Sequence, residues 1–396
     1  MMRVAYITHY ADLYGANRSL LDLVRELKRT GHVEPLVILP ERGRFNEVLE
    51  AEGIAHVIND FAPWMTDRYY AGGLHHRLSQ FIRHAKAGRA RARHNQLILP
   101  GLIAALMQLD VDLVHANSAA VSIAVELATG LGKPLVWHIR EMPERQYGLH
   151  LDKGALGFGR ALRKADHMIA VSSAVREDMR RYAPQLPGNT VVYNGVLTEA
   201  GFAECLRQKG STISRSVPFT FVLVGVMHPS KGQLEAVEAL ASVLRSGANA
   251  RLILVGGGSD KLVRERIHAL GIVGSVEFTG YLDDPFPILL QADAYLMCSK
   301  NEGMGRATVE AMACGLPVIG HASGGTLEIV ADGVTGLLYR YGTEELAAHM
   351  ATLLTDPERA RQLGRAGAEH ARQRFTIERY ADQVLNIYLS LISVIR

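Results

Sequence analysis

Short apolar runs alternate with segments of helical periodicity along most of this 396-residue chain. The run VAYIT is followed by a segment that places Leu20, Val24 and Leu27 on one helical face. Strands covered by helices on both sides are continuously apolar, whereas strands with one solvent-exposed face alternate apolar and polar residues. The pattern therefore predicts an α/β fold built on parallel sheets.

The alternation passes through two successive sets of strands. The first set comprises VAYIT, EPLVILP, AHVIN, DLVHAN, PLVWHI, HMIAVS and TVVYN. The second comprises FTFVLVGV, ARLILVGGG, VEFTGY, AYLMC, LPVIGH and TGLLY, with helices expected after Lys231, Ser259, Pro285, Arg306 and Thr343. Because the chain is too long for one ordinary core, we predict two doubly wound, Rossmann-like domains facing a cleft. We place the domains at 1–196 and 217–376, with a partly helical linker at 197–216.

Composition excludes several classes of protein. Apolar residues make up 48% of the chain and charged residues 21%, which indicates a globular rather than a disordered protein. The three cysteines are far apart, which favours a reducing compartment over a disulfide framework or a zinc site. No run approaches the roughly 20 apolar residues of a membrane span, and the first residues lack a secretory signal pattern. We therefore expect a cytoplasmic protein.

One segment is strongly basic. From Arg68 to Leu109 there is no aspartate or glutamate, while seven cations fall there: Arg68, Arg77, Arg83, Lys86, Arg89, Arg91 and Arg93. The segment is either a solvated surface helix or, over 68–94, an amphipathic patch for anionic lipid head groups or a phosphorylated acceptor. The second interpretation would place the protein peripherally at the inner face of a membrane. Nucleic acid is a poorer partner because aromatic residues are not interleaved with the cations.

The stretch NEGMGRATVEAMACGLPVIG (301–320) carries two glutamates eight positions apart. Gly303 and Gly305 allow a tight turn that exposes backbone amides at the start of the next helix. Glu302 would then face sugar hydroxyls, and Glu310 could accept hydrogen bonds from a ribose diol. By spacing alone, the alternative is that Glu302 caps the helix and Glu310 is a surface acid.

The surrounding residues closely resemble the signature of family-4 retaining glycosyltransferases, also called glycosyl transferases group 1. The motifs are SxxEGMGRATVEAMACGLPVIG, SGGTLEIVADGVTGLL, VGVMHPSKG, LVGGG, VEFTGY, HMIAVSS and VVYNGV. The resemblance implies a GT-B fold with an acceptor-side first domain and a nucleotide-sugar-binding second domain. It also implies that a carboxy-terminal helix, 377–396, packs back on the first domain.

Site residues follow from the same resemblance. It implies catalytic roles for His138, beside the reacting sugar, Lys231, on the donor pyrophosphate, and Glu302, on the donor sugar. It implies that the remaining matched positions bind the donor: Gly15, Arg18, Gly256, Gly257, Thr279, Gly280, Tyr281, Gly303, Met304, Gly305, Arg306 and Glu310.

Two positions depart from the family pattern. Val226 stands where the family has a phosphate-binding arginine, and we consider Arg306, Arg18 and His228, in that order, as replacements. Tyr14-Gly15 alters the first-domain glycine pair, which affects the expected acceptor geometry.

The resemblance implies a retaining transferase that moves a sugar from a UDP- or GDP-sugar to a glycan or lipid-linked glycan, in surface polysaccharide biosynthesis. It implies no cofactor and no metal. Two alternatives stay open: a sugar-nucleotide epimerase of the same fold, or a non-catalytic nucleotide-sugar-binding subunit.

Other polar motifs favour structural roles. Asp110-Val111-Asp112 has the DxD form of metal-assisted sugar transfer, but its position between a helix and a strand favours a turn. His9, His115 and His321 lie near strand ends, where packing roles are expected.

Overall fold

The computed structural model describes residues 1–67, 74–211 and 218–395. It divides into two compact units, Met1–Gly195 with Glu378–Arg396, and Val196–Ile377. Within these described ranges, no helix is both long and apolar enough to cross a membrane.

The first unit is built on a parallel seven-stranded sheet and a small antiparallel ribbon. Its strands are β1 (Met2–Ile7), β2 (Val33–Leu39), β3 (Ala55–Ile58), β4 (Met65–Asp67), β5 (Leu113–Ala116), β6 (Leu135–Ile139), β7 (Leu149–Leu151), β8 (His167–Ala170) and β9 (Gly188–Val191). Its helices up to residue 180 are α1 (Gly15–Arg29), α2 (Arg44–Ala51), α3 (Leu74–Gln108), α4 (Ile123–Leu131), α5 (Pro143–Tyr147), α6 (Gly154–Leu162) and α7 (Ser173–Arg180). The sheet order is β3-β2-β1-β5-β6-β8-β9, and β4 pairs with β7.

The second unit is built on a parallel six-stranded sheet. Its strands are β10 (Phe219–Val224), β11 (Ala250–Val255), β12 (Val276–Gly280), β13 (Ala294–Met297), β14 (Val318–His321) and β15 (Gly336–Tyr339), in the order β12-β11-β10-β13-β14-β15. Its helices are α8 (Glu199–Ser211), α9 (Gln233–Arg245), α10 (Lys261–Leu270), α11 (Phe286–Gln291), α12 (Arg306–Ala313), α13 (Thr326–Ile329), α14 (Thr343–Thr355) and α15 (Pro357–Arg374). The last helix of the chain, α16 (Ile377–Ile395), returns to the first unit.

The predicted fold class is confirmed. Each of the thirteen apolar runs overlaps a strand, and every pairing within the two main sheets is parallel. In each sheet the chain adds strands on one side of the first strand, β1 or β10, and then on its other side, which is the doubly wound order. Such sheets bind ligands at the carboxyl ends of the strands where the chain changes sides.

Of the partly helical linker predicted at 197–216, residues 199–211 form α8. This helix is part of the second unit: Lys209 Nζ donates to the carbonyls of Leu290, at 2.9 Å, and Ala292, at 2.6 Å. A partly buried lysine that caps the end of α11 outweighs the turn-like composition of the segment. Residues 212–216 lie outside the described residues.

Helix α16 supplies part of the first unit's core. Tyr380, Val384 and Tyr388 are buried in one cluster with side chains of β1, β2 and α1. The helix repeats these apolar positions at spacings of four, which gives one face of a 3.6-residue turn. Without α16 the sheet face beneath it would be exposed, so the chain's last residues help to stabilise its first domain.

Replacing Val384 by alanine should weaken the first unit selectively. The side chain is fully buried, and the loss of two methyl groups with a residual cavity costs about 2 kcal/mol of unfolding free energy. The chain's two tryptophans, Trp64 and Trp137, both lie in this unit, so urea unfolding followed by their fluorescence reports on it. Leu389→Ala is the matched control, because Leu389 is on the same helix and half exposed. Equal losses of unfolding free energy in the two variants would contradict the burial of Val384 in this core.

Candidate functional site

The loop after β13 is held by backbone contacts with a second loop, residues 321–325. The amide of Gly325 donates to the Glu302 carbonyl at 2.7 Å, and the Asn301 amide donates to Ser323 Oγ at 2.9 Å. A Cβ on Gly324 would lie 2.5 Å from the Glu302 carbonyl oxygen, and one on Gly325 would overlap the Gly303 carbonyl. The two loops therefore pack so closely that side chains are excluded between them, which explains the two consecutive glycines.

The turn into α12 needs unusual backbone conformations. Asn301 has φ 55° and Gly305 has φ 89°, both in the left-handed region. Asparagine and glycine tolerate this region better than other residues. Gly305, which has no side chain to cap the helix, is the N-cap of α12, and Glu302 lies three residues before it in the loop.

Lys231 and Glu302 form an ion pair. Lys231 Nζ donates to Glu302 Oε2 at 2.7 Å, and the two side chains are 15% and 12% exposed. At an effective dielectric constant of about 20 the attraction is on the order of 5 kcal/mol, but desolvation of both charges offsets most of it. The net stabilisation is therefore modest, and either charge can exchange its partner for a ligand group.

Lys231 is placed by a tight turn after β10. It ends a short 3₁₀ turn, Pro229–Lys231, and Gly232 follows with φ 73°. A Cβ on Gly232 would lie 2.5 Å from the Cys298 carbonyl oxygen, at the end of β13. The lysine reaches Glu302 because the backbone at Gly232 approaches the neighbouring strand end this closely.

Arg306 and Glu310 form a second, deeper ion pair. Arg306 Nε donates to Glu310 Oε1 at 2.9 Å, and Nη2 donates to the Val196 carbonyl at 3.2 Å. The Glu310 side chain is only 2% exposed, so it is not a surface acid. The ion pair holds the Glu310 carboxylate in place about one helical turn after Gly305, because residues four apart lie on the same face of a helix.

The carboxyl ends of β10, β11 and β12 meet through backbone contacts. The Gly256 amide donates to the Gly280 carbonyl at 2.8 Å, and the Met227 amide donates to the Gly257 carbonyl at 2.7 Å. Gly256 has φ 150°, and a Cβ there would overlap the Gly225 carbonyl. Two apolar or aromatic side chains, Val226 and Tyr281, remain partly exposed beside this backbone surface. The predicted residues Thr279 and Gly280 are on the same strand end, where Thr279 Oγ1 donates to the Gly280 carbonyl.

The predicted residues of the first unit lie at the carboxyl ends of β1 and β6. Gly15 begins α1 with open space where a Cβ would be, and Arg18 follows in the first turn. Asn17 donates from Nδ2 to the carbonyls of Tyr10, at 2.9 Å, and Asp12, at 2.8 Å. These bonds tie the β1–α1 loop to the helix and thereby position Gly15.

His138 is fully buried beside Arg140, a residue to which the sequence analysis assigned no role. The Arg140 guanidinium donates to Asn117 Oδ1 at 2.7 Å, Asn194 Oδ1 at 2.5 Å and Tyr380 Oη at 2.9 Å. It also approaches His138 Nδ1 at 3.4 Å. An arginine directly after an apolar strand, as in PLVWHIRE, was the signal available in the sequence.

Burial and a nearby cation keep the imidazoles of this region neutral. Desolvation, followed by the Arg140 charge, holds the pKa of His138 and of His115 well below the usual value. Desolvation also lowers the pKa of His9 to about 4. His115 Nδ1 is 2.6 Å from Tyr388 Oη, which places it in the packing with α16.

The remaining polar motifs have structural roles. Asp112 Oδ2 accepts from the Arg3 amide at 2.8 Å, and Asp110 has φ 47°, so the DxD motif forms a turn. His321 Nδ1 pairs with Ser323 Oγ at 2.9 Å and so supports the loop described above. Within the part of the chain that the structure describes, no group of three or more His, Cys, Asp or Glu side chains could hold a metal ion.

A Gly325→Ala substitution should destabilise the second unit by roughly 2–3 kcal/mol, because its Cβ would overlap the Gly303 carbonyl and force the loops apart. Scanning calorimetry measures the change. Gly274→Ala in the same unit is the control, since a Cβ there meets nothing within 4 Å. Similar transition temperatures for both variants would show that the close packing of the loops is not required.

Both halves of the chain match known family models. Residues 207–370 match the model described as glycosyl transferases group 1, and residues 14–200 match glycosyltransferase family 4. Alpha-maltose-1-phosphate synthase of Mycobacterium tuberculosis is 30% identical over 330 residues, which cover 72% of this chain and 83% of that protein. A GDP-mannose-dependent alpha-(1-6)-phosphatidylinositol monomannoside mannosyltransferase of the same species is 36% identical over 161 residues, or 38% of this chain and 42% of that protein.

Solved structures share the fold. Anabaena Alr3699/HepE, in complex with UDP and glucose, superposes with a TM-score of 0.77 at 23% identity, covering 99% of this chain and all of that chain. Sucrose-phosphate synthase from Thermosynechococcus elongatus superposes with a TM-score of 0.71 at 20% identity over the whole of both chains. With two parallel α/β units and these relatives, the chain belongs to the group 1, family 4 glycosyltransferases and has the GT-B fold.

Proposed function

We propose that this glycosyltransferase moves a sugar from a nucleoside diphosphate sugar to a glycan or lipid-linked glycan, with retention of configuration and without a metal. The observation that carries the proposal is the Lys231–Glu302 pair, with Glu302 in the glycine-rich loop that leads into α12. Similar folds have been solved with UDP and with UDP-glucose, which supports a nucleotide-sugar donor.

The ion pair supplies both halves of a donor site. Lys231 is a compact cation suited to the donor diphosphate, and its exchange from Glu302 to phosphate releases the carboxylate. Glu302 then accepts hydrogen bonds from hydroxyls of the donor sugar. Lys231 exchanges one anionic partner for another and Glu302 exchanges its cation for hydroxyl donors, so donor binding leaves each buried charge hydrogen-bonded.

The second ion pair suits the nucleoside. An ionised carboxylate offers about four acceptor positions, and Arg306 Nε uses one on Glu310. The others can receive the two hydroxyls of a ribose. Because Arg306 also donates to the Val196 carbonyl, we assign it first to orienting Glu310. The phosphate contact that the family's arginine would make at position 226 is then shared among Arg306, Lys231 and the loop amides.

The chemistry follows from this arrangement. The acceptor hydroxyl attacks the anomeric carbon on the face from which the diphosphate leaves, and a phosphate oxygen takes its proton. Lys231 and the amides near Gly305 stabilise the negative charge that develops on the leaving group. Catalysis then depends on positioning and on charge stabilisation, without a protein nucleophile.

The basic helix α3 supports a membrane-linked acceptor. Ile82, Lys86, Arg89 and Arg93 follow one another at spacings of four, three and four, which places them on one helical face. All four are exposed, and Phe81 and Ile82 are 55% and 58% exposed. Of the predicted segment 68–94, residues 68–73 lie outside the described residues.

The opposite face of α3 holds the helix to the unit. Arg91 is bound to both carboxylate oxygens of Asp152, at 2.9 and 2.6 Å, and Asn95 exchanges two hydrogen bonds with the backbone of Ala62. The outward cations are therefore displayed on an anchored helix, as a contact with anionic lipid requires.

Donor binding should stabilise the protein against heat. At a ligand concentration of 100 times its dissociation constant the gain is about 2.7 kcal/mol. We expect one nucleotide family among UDP, GDP, ADP and their sugars to raise the melting temperature, and EDTA to leave the shift unchanged. Lys231→Met should abolish the shift, whereas Lys261→Met, which removes an exposed lysine of the same unit, should not. A shift that survives in Lys231→Met, or none with any nucleotide, would refute the proposed donor site.

Binding to vesicles should depend on the outward face of α3. Each cation near an anionic surface contributes about 1 kcal/mol, so Lys86→Gln/Arg89→Gln/Arg93→Gln should reduce partitioning on the order of a hundredfold. Sedimentation with phosphatidylserine vesicles measures this, and phosphatidylcholine vesicles give the uncharged reference. The control removes three exposed cations from α10: Lys261→Gln/Arg264→Gln/Arg266→Gln. Equal binding of both triple variants, or equal binding to both lipids, would argue against a membrane contact through α3.

A further inference from the structure

Arg140 is buried among neutral hydrogen-bond acceptors. The residue is 8% exposed, and the side chains that accept from its guanidinium belong to Asn117, Asn194 and Tyr380, with His138 as the fourth neighbour. They come from the ends of three strands and from α16. Burying a guanidinium is costly unless its donors are satisfied. The surrounding side chains are therefore arranged to satisfy the donors of the Arg140 guanidinium.

The contact with His138 restricts where the imidazole carries its proton. A guanidinium has five N–H donors, no acceptor, and does not lose its proton in proteins. Its Nη2 faces His138 Nδ1 at 3.4 Å, so Nδ1 is favoured as the unprotonated acceptor nitrogen. In a neutral imidazole the proton is then on Nε2. The tautomer of His138 follows from the chemistry of its neighbour.

The Nε2 atom of His138 is buried, and within the described parts of the chain it has no hydrogen-bond partner. A buried donor without a partner costs roughly 1–3 kcal/mol, which a ligand acceptor can recover. His138 is the penultimate residue of β6, so this atom lies at the carboxyl edge of the sheet. Such an edge is where doubly wound sheets bind ligands.

We propose that Arg140 is a positioning residue that holds His138 in the Nε2–H tautomer, so that the imidazole acts as a neutral hydrogen-bond donor to a ligand oxygen and not as a proton-transfer group. The identity of that oxygen, a hydroxyl of the bound sugar, rests on the proposed function. The tautomer of His138 is independent of the proposed function.

The groups around His138 oppose its protonation. Arg140 contacts it from the end of its own strand, the His115 ring from β5 is 5.3 Å away centroid to centroid, and the Tyr380 ring from α16 is 6.1 Å away. Burial, the Arg140 charge and His115 all lower the pKa of His138. Removing the Arg140 charge therefore raises this pKa, and the imidazole gains a proton at higher pH than in the native protein.

Nitrogen NMR of protein labelled with ¹⁵N-histidine tests the proposal without any donor. The His138 signals are assigned by their loss in His138→Gln. We expect native His138 to show the Nε2–H pattern and no titration from about pH 5.5 to 8.5, against an ordinary histidine pKa of about 6.5. A native Nδ1–H pattern, or a titration inside that range, would overturn the proposal whatever the variants do.

Variants test the role of Arg140 itself. In Arg140→Met we expect both nitrogens of His138 to share the proton and the titration to move upward. Arg140→Lys keeps a cationic donor, so we expect it to restore the Nε2–H pattern at least in part. Arg180→Met is the control, since it removes an arginine of the same unit that is paired with Glu177 at the surface. If folded Arg140→Met, checked by circular dichroism, keeps the native His138 spectrum, Arg140 does not set the tautomer.

Enzymatic assays separate this inference from the proposed function. If transfer is established, Arg140→Met should lower kcat/KM about tenfold or more, and Arg180→Met should leave it unchanged. If nucleotides fail to bind at all, the donor assignment fails while the tautomer result stands. If nucleotides bind and native His138 titrates near neutral pH, the donor assignment stands and the tautomer proposal fails.

Discussion

The Lys231–Glu302 ion pair is the interaction on which the proposed donor site depends. It joins the ends of two strands that are neighbours in the sheet but far apart in the chain, β10 and β13. It forms because glycine lets backbone approach backbone on both sides: Gly232 against Cys298, and the Gly324-Gly325 pair against the loop that carries Glu302. Two opposite charges are thus kept partly buried and paired, in a form that a charged and hydroxyl-rich ligand can take over.

The two units use buried polar groups differently. In the second unit the charges are paired with each other, an arrangement suited to exchange with a ligand. In the first unit the buried cation, Arg140, is satisfied by neutral groups, and the adjacent imidazoles are kept neutral. Helix α16 completes this network through Tyr380 and Tyr388, which explains why the chain returns to its first unit.

The sequence was sufficient for the fold class because the evidence for it is local. Continuous apolar runs and helical periodicity are properties of neighbouring residues, and all thirteen runs overlap strands. The extent of α8 within the stretch predicted as a partly helical linker was not predictable because its glycines and serines favour turns, whereas Lys209 and packing within the second unit favour a helix. The β4–β7 ribbon was missed because each strand has only three residues, too few for a period to appear.

The candidate site was predictable at the level of residues but not of partners. Glu302, Glu310 and Lys231 could be selected from motifs, whereas the pairing of Lys231 with Glu302 joins residues 71 positions apart. The same holds for Arg140, whose partners include Tyr380, 240 positions away. Such contacts are created by sheet order, which a single sequence does not show. Spacing alone had favoured a surface position for Glu310, but the ion pair with Arg306 lets this carboxylate be buried.

The exchange of partners at Lys231 is tested most directly by calorimetric titration of the Glu302→Gln variant with a nucleoside diphosphate and with the matching nucleotide sugar. Removing the competing carboxylate frees Lys231, so the account predicts that the diphosphate binds at least as tightly as to the native protein. It also predicts that the nucleotide sugar loses the extra affinity that Glu302 provides to the sugar. Weaker binding of the bare diphosphate, or an unchanged advantage of the nucleotide sugar, would contradict the exchange and with it the proposed donor site.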